Sequence, residues 1–226
     1  MDGGRSELKH WIGPADAAAL RHRLSAVLRR DGHAGPDGTY RIRSLYFDNY
    51  QDEVLREKLD GVADRDKYRI RVYGESLDAI RLEKKSKRGG LGWKRSAWLS
   101  RTECEALLAG RIDWIPARGD ALLDELRREM LARMLRPRTI VEYRREAFVH
   151  PAGNVRVTID SDVRSGLFST DFLNPDLPLL PACAPGESVL EVKYDAFLPA
   201  LVRDLVQVGD RQSSAVSKYA LCRTVG

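Results

Sequence analysis

Val, Ile, Leu and Tyr recur at alternate positions in eight stretches of the chain, residues 5–12, 40–48, 67–73, 79–86, 91–98, 139–149, 154–160 and 188–194. A period of two sends neighbouring side chains to opposite faces of an extended backbone, so each stretch reads as a strand. Four other stretches read as helices. Residues 14–31 open on Pro14, and 100–110 carry Ser100 and Glu103 at capping-box spacing before Gly110. Residues 119–135 stop short of Pro137, and 196–208 bring Leu198, Leu201, Val202 and Leu205 to one side. Leu122, Leu126, Met130 and Met134 recur every four residues, the stripe of a helix packed on a core. The expected fold class is α+β: a barrel or large, mostly antiparallel sheet flanked by helices, one domain over residues 1–226. Residues 175–185 are rich in proline and read as a surface loop.

The polar half of the alternation is unusual. Lys67, Arg69 and Arg71 interleave with Tyr68, Ile70 and Val72, while Arg81, Glu83 and Lys85 interleave with Ile80 and Leu82. Arg156, Thr158 and Asp160 alternate with Val155, Val157 and Ile159, and Glu191 and Lys193 with Leu190 and Val192. On an open sheet these would be a solvated face. If the sheet closes, like charges about 6 Å apart repel by roughly 3 kcal/mol at an effective dielectric of 20, which a bound polyanion would relieve. An eight-stranded barrel has room for one small ligand, and phosphate fits a lining of Arg forks and Lys point charges. The few interspersed carboxylates then suit a divalent ion that offsets part of a phosphate chain.

Composition narrows the picture less. The 226 residues are 43% apolar and 31% charged, enough to bury a core, and 38 Lys plus Arg against 33 Asp plus Glu leave a net charge of +5. Cys104, Cys183 and Cys222 are odd in number and widely spaced, which reads as reduced thiols rather than a disulfide framework or zinc site. No apolar run reaches the roughly 18 residues of a membrane span, and MDGGRSELKHW lacks the apolar stretch of a signal peptide, so a cytoplasmic location is expected. Gly89-Gly90-Leu91-Gly92 lacks Walker spacing and reads as a hairpin turn. His10, His22, His33 and His150 show no ligand spacing, and Trp93 and Trp98 are expected to pack rather than stack on bases.

An ordered series of motifs resembles a known family: Glu7-Leu8-Lys9, Lys67-Tyr68-Arg69-Ile70-Arg71, Glu83-Lys84-Lys85, Tyr143-Arg144-Arg145, Val155-Arg156 and Leu190-Glu191-Val192-Lys193. With Ser44-Leu45-Tyr46-Phe47-Asp48-Asn49 and Ser217-Lys218-Tyr219, the series is similar to the VTC domain. That domain is the polyphosphate polymerase module of the triphosphate tunnel metalloenzyme, or CYTH-like, superfamily. The resemblance implies a closed eight-stranded antiparallel β-barrel with flanking helices. It also implies that Lys9, Lys58, Arg69, Arg71, Lys85, Lys94, Arg145, Arg156 and Lys193 bind the triphosphate of ATP or the polymer. Lys58 stands where the family has an arginine. Arg71, Lys85, Glu191 and Lys218 would be catalytic, and Glu191, Glu83 and Glu7 would hold Mn2+ or Mg2+.

The implied reaction moves the terminal phosphoryl of ATP to phosphate, pyrophosphate or a growing polyphosphate chain. A hydrolase of the same superfamily would open on an ExExK motif, where this chain has Arg5, Glu7 and Lys9, so one carboxylate is replaced by a base. A non-catalytic module for polyphosphate, inositol phosphate or RNA is the other alternative; a narrow tunnel would exclude nucleic acid. No membrane segment is expected in the chain, and a membrane partner would have to be a separate subunit.

Overall fold

A computed structural model describes residues 4–74, 76, 79–209 and 215–225. The chain runs β1 (Ser6–Ile12), α1 (Pro14–Val27), β2 (Arg29–Arg30), β3 (Thr39–Asp48), α2 (Glu53–Leu59), β4 (Arg65–Tyr73), β5 (Ile80–Arg88) and β6 (Leu91–Leu99). Then follow α3 (Arg101–Leu108), α4 (Ile115–Arg118), α5 (Ala121–Ala132), β7 (Arg136–His150), β8 (Val155–Ser165), β9 (Leu180–Pro181), β10 (Ser188–Tyr194), α6 (Ala200–Leu205) and α7 (Lys218–Thr224). All eight strands expected from the alternation are present, in one antiparallel sheet of order β1-β10-β8-β7-β3-β4-β5-β6; β2 pairs with β7 and β9 with β8.

Local chemistry accounts for the punctuation. Gly89 and Gly90 both have positive φ, which a two-residue turn between strands of right-handed twist requires, and they join β5 to β6. Ser100 Oγ accepts from the Glu103 amide at 3.1 Å while the Glu103 carboxylate accepts from the Ser100 amide at 2.7 Å, closing the capping box of α3. Asp120 caps α5 by accepting from the amides of Leu122 and Leu123.

Three helices differ from expectation. The first gives way at Leu28 to β2, whose Arg29 and Arg30 add to the β7 ladder. α5 ends at Ala132, and Met134, with φ of 55°, turns outward to 50% exposure, so the apolar stripe closes on Leu123 instead. α6 is only six residues long and leaves Leu201 exposed. Three short helices, α2, α4 and α7, have no counterpart among the helices expected from the sequence.

The sheet is apolar on its outer face, where two clusters form. α1 and α6 pack on β1, β8 and β10 through Leu20, Leu24, Val157, Leu190 and Val202, and the remaining helices cover β3–β7 through residues such as Leu45, Ile70, Leu82 and Leu126. The basic residues are thereby turned to the concave face. In place of a fully laddered barrel, the two edges of the sheet, β1 and β6, meet at one antiparallel bridge, Arg5 with Gly92. Beyond that bridge β6 stands clear, with Lys94, Arg95, Ser96 and Trp98 exposed.

Candidate functional site

Three groups of carboxylates organise the concave face. Glu83, fully buried on β5, accepts from Arg69 Nε and Nη2 at 2.8 and 2.6 Å and from the Tyr73 hydroxyl at 3.3 Å. Lys94 Nζ lies 3.2 Å and Arg71 Nη1 3.8 Å away. Burial pushes the Glu83 carboxyl up, and the charges of Arg69, Arg71 and Lys94 outweigh it, holding the group far below the ordinary range. The same guanidiniums are steered by hydroxyls. Arg69 donates to Tyr46 at 2.8 Å, and Arg71 donates to Ser44 at 2.8 Å and Tyr143 at 3.2 Å.

Asp160, fully buried on β8, takes a two-pronged bond from Arg145 at 2.6 and 2.7 Å, and Lys218 Nζ stands 2.5 Å from it. Glu7 and Glu191 form the third group. Lys9 Nζ is 2.7 Å from Glu7 and 3.3 Å from Glu191, Lys85 is 2.6 Å from Glu7, and Lys193 is 2.6 Å from Glu191. Arg145 reaches Glu191 at 4.0 Å. Burial raises both carboxyls, and Glu191 raises Glu7 further; Lys9 and Lys193 bring both below the ordinary range, Glu191 the more strongly.

The sequence motif 44–49 now has a structural meaning. Its alternate residues Ser44 and Tyr46 hold Arg71 and Arg69, while Asp48 accepts from the amides of Asn49, Val54 and Leu55 at 2.8 to 3.1 Å and so anchors α2. Asp48 also receives the Tyr219 hydroxyl at 2.5 Å, which docks α7 and carries the neighbouring Lys218 over the Tyr143 ring, 4.8 Å from its centroid.

Register supplies what alternation could not. Lys67, Lys85 and Lys94 stand directly opposite one another on β4, β5 and β6. Like charges so placed repel. Lys85 is relieved by Glu7 and Lys94 by Glu83, whereas Lys67 has no carboxylate ion pair among the described residues and lies over the Tyr219 ring at 5.4 Å. Burial, followed by Arg65, Lys58, Lys9 and Lys85, pushes the Lys67 ammonium down to about 7. Lys85 falls to about 8, through burial, Lys9 and Lys193. Lys58, on α2, is lowered by burial and by Arg65, Lys9 and Lys87. Lys67 stands in the basic alternation and in the family motif but not among the expected phosphate ligands; its shared parity with Arg69 and Arg71 was the available signal.

Most of the expected phosphate ligands therefore share one cleft. Arg156 stands to one side, bound to Asp31 and donating to the Tyr40 hydroxyl at 2.7 Å. Among the described residues no three His, Cys, Asp or Glu side chains gather as a metal cage. Glu7 and Glu191, which converge on Lys9, suit an ion that takes the rest of its shell from water and phosphate oxygens, as Mg2+ commonly does. Glu83 does not join them: it lies among Arg69, Arg71 and Lys94, and no three carboxylates gather at one point among the described residues.

Trp93 packs as expected, close enough to Gly4 that a Cβ there would stand 2.8 Å from the indole. Trp98 does not pack. It shares the concave parity of Lys94 and Ser96, is 54% exposed, and carries the Arg81 guanidinium 4.1 Å from its ring centroid. Cys104 and Cys222 are buried and Cys183 half-buried, all three as free thiols.

Solved structures share the fold at low identity. A Hippeastrum protein assigned as an adenylyl cyclase, with a dominant triphosphatase activity, is 14% identical; the match covers 97% of this chain and 94% of that one at a TM-score of 0.55. The PH1012 protein of Pyrococcus horikoshii is 8% identical over 96% of this chain and 98% of its own, at 0.51. No curated protein matches the sequence. No helix among the described residues is long and apolar enough to cross a membrane. The VTC domain family matches residues 4–225, nearly the whole chain, and the protein belongs to that family.

Proposed function

We propose that this chain is a metal-dependent polyphosphate polymerase, moving the terminal phosphoryl of ATP to a growing polyphosphate chain inside a basic tunnel. The observation that carries the reading is the in-register row Lys67, Lys85 and Lys94, beside Lys9 and Lys58, where cations outrun the carboxylates available to them. A triphosphate is already matched by Arg69, Arg71 and Arg145; the further lysines suit an anion that continues beyond it. Closure into a tunnel is supported by the Arg5–Gly92 bridge and by the Lys85–Glu7 ion pair, which links β5 to β1 across the seam.

In this mechanism Arg69 and Arg71, fixed by Glu83, Tyr46 and Ser44, present planar forks that hold phosphate oxygens in line. Lys85 and Lys218 place point charges where negative charge grows on the transferred group. Glu191, with Glu7, would hold Mn2+ or Mg2+, which when bound neutralises phosphate charge. Lys9, Lys58, Lys94, Arg145 and Lys193 complete the phosphate lining, and ADP is released into a cytoplasmic ATP pool. Preorganisation by buried carboxylates means that little rearrangement is needed when substrate arrives.

Hydrolysis of a triphosphate is the second reading, since the Hippeastrum protein with this fold has triphosphatase activity. Against it, Arg5 stands where the hydrolase pattern has its first carboxylate, and its guanidinium pairs with Asp195 at 2.8 Å, outside the carboxylate groups of the cleft. The test is incubation with ATP and Mn2+, with products resolved on a gel stained for polyphosphate. Polymer of increasing length with stoichiometric ADP is the expected result. Orthophosphate alone, across a range of metal and phosphate concentrations, would overturn the polymerase.

A further inference from the structure

At the end of the cleft away from the lysine row, β4, β5 and β6 present a different chemistry. Arg71, Arg81 and Trp98 are in register across the three strands, one step beyond Glu83. The Arg81 guanidinium lies 4.1 Å from the Trp98 ring centroid and 5.8 Å from that of Tyr73. His33 stacks on Tyr73 at 6.1 Å with the planes 21° apart. Trp98 keeps more than half its surface in solvent, and Arg81 Nε is buried with no hydrogen-bond partner among the described residues.

An indole more than half exposed, with a guanidinium over it, offers a planar and cationic surface at this end of the cleft. Its position names the ligand. Tyr73 joins this group to the phosphate grip, because its hydroxyl donates to Glu83 at 3.3 Å and its ring lies 5.7 Å from the Arg71 guanidinium. A molecule whose phosphates engage Arg69 and Arg71 therefore projects its other end onto Trp98 and Arg81. A flat, heteroaromatic group stacks well on an indole and on a guanidinium plane.

We infer that Trp98 and Arg81 form a stacking platform for the base of a nucleoside triphosphate, with the ribose towards Tyr73 and His33. The assignment rests on the proposed triphosphate cleft and adds the direction in which the nucleotide lies: base at the aromatic end, terminal phosphate towards the lysine row. Stacking tolerates any base, since each has a π face. The platform thus separates nucleotides from bare polyphosphates and leaves ATP, GTP and CTP within a few-fold of one another.

Calorimetric titration of wild type, Trp98→Ala and Trp98→Phe with ATP and with tripolyphosphate tests the inference. Trp98→Ala is expected to weaken ATP roughly 5- to 100-fold, the range of a lost base–aromatic stack, and to leave tripolyphosphate within twofold. Trp98→Phe should recover most of the ATP affinity. Unchanged ATP affinity in Trp98→Ala, or equal weakening of both ligands, would overturn the platform while leaving the triphosphate cleft standing. Wild-type protein that binds neither ligand would overturn both.

Discussion

Two neighbouring rows of the same three strands solve the problem of buried charge in opposite ways. In the Arg69–Glu83 row the cations converge on a carboxylate with essentially no exposure, and Tyr46, Ser44 and Tyr143 take up the remaining guanidinium protons. In the Lys67–Lys85–Lys94 row, two residues along β4, three ammoniums face one another and Lys67 finds only an aromatic ring. Both rows are basic, so composition does not separate them. The first gathers its cations on one buried carboxylate, whereas the second leaves Lys67 without a carboxylate among the described residues and calls for an anion. A paired row and an under-paired row thereby stand side by side, as the proposed grip on a phosphate chain requires.

The largest effect that can break this contrast is expected at Glu83. Glu83→Ala leaves Arg69 and Arg71 buried without their counter-charge, a change that costs about 3–5 kcal/mol. For a chain of this size the melting temperature should drop by roughly 6–20 °C. Thermal unfolding by circular dichroism measures it. A loss of only a degree or two would mean that the Glu83 row is no scaffold.

Glu191 should behave differently although it is buried to a similar degree. Glu191→Gln keeps shape and removes the charge that, with Glu7, faces Lys9. Turnover is expected to fall about 10²–10³-fold, the scale of a lost electrostatic contact to the transition state, with ATP affinity within tenfold of wild type. Melting temperature and rate collapsing together would instead make Glu191 a structural partner of Lys193, like Glu83 among its arginines.

How much of this was legible in the sequence depends on the kind of information asked of it. Alternation located all eight strands and grouped the basic residues on one face of each, because period two is set by the backbone itself; whether that face turned inward or to solvent it left open. It could not supply register, and register is what separates the two rows: Lys67 lies opposite Lys85, and Arg69 opposite Glu83, only after β4 and β5 are aligned. The carboxylates read as metal ligands divide for the same reason, with Glu83 drawn to Arg69 and Glu7 and Glu191 to Lys9. Asp160 was visible as a charged residue of β8, and its grip on Arg145 and Lys218 was not, since Lys218 arrives from a helix 58 residues later in the chain. α7 itself is seven residues long, too short to show a helical period, and it docks through the buried Tyr219 and Cys222 side chains and the Tyr219–Asp48 bond. Trp98 was read as packing although its parity with Lys94 already placed it on the concave face.

A smaller and opposite effect is expected at Lys67. Its folded-state value, about 7, lies below the ordinary 10.5, so folding expels a proton and the charged form is penalised in the empty protein. The penalty is complete below pH 7 and fades as pH rises to about 10.5, so the stability of the empty protein rises with pH across that window. Lys67→Met should accordingly raise the melting temperature at pH 6 and have little effect near pH 10.5, the reverse in sign of Glu83→Ala. Destabilisation at pH 6 would show that the Tyr219 ring alone satisfies the ammonium.

The finest test follows the same proton during binding. At pH 8 Lys67 is mostly neutral in the empty cleft, and an arriving phosphate chain supplies the opposite charge that restores its ordinary basicity. Tripolyphosphate binding should therefore draw a proton from solution, about 0.9 of one at Lys67 if its value rises well above 8 on binding. Titrations in buffers of different ionisation enthalpy, such as HEPES and Tris, read this uptake as the dependence of the observed heat on the buffer. Lys85, displaced to about 8, contributes as well, so the decisive quantity is the difference between wild type and Lys67→Met. The variant should take up nearly one proton fewer at pH 8, and the difference should disappear below pH 6, where Lys67 is already charged. Arg69 and Arg71 stay protonated throughout and add nothing, which confines the signal to the lysine row. Equal uptake by the two proteins at pH 8 would mean that the phosphate chain never reaches Lys67, and the row would then be a strained feature of the sheet rather than a continuation of the binding cleft.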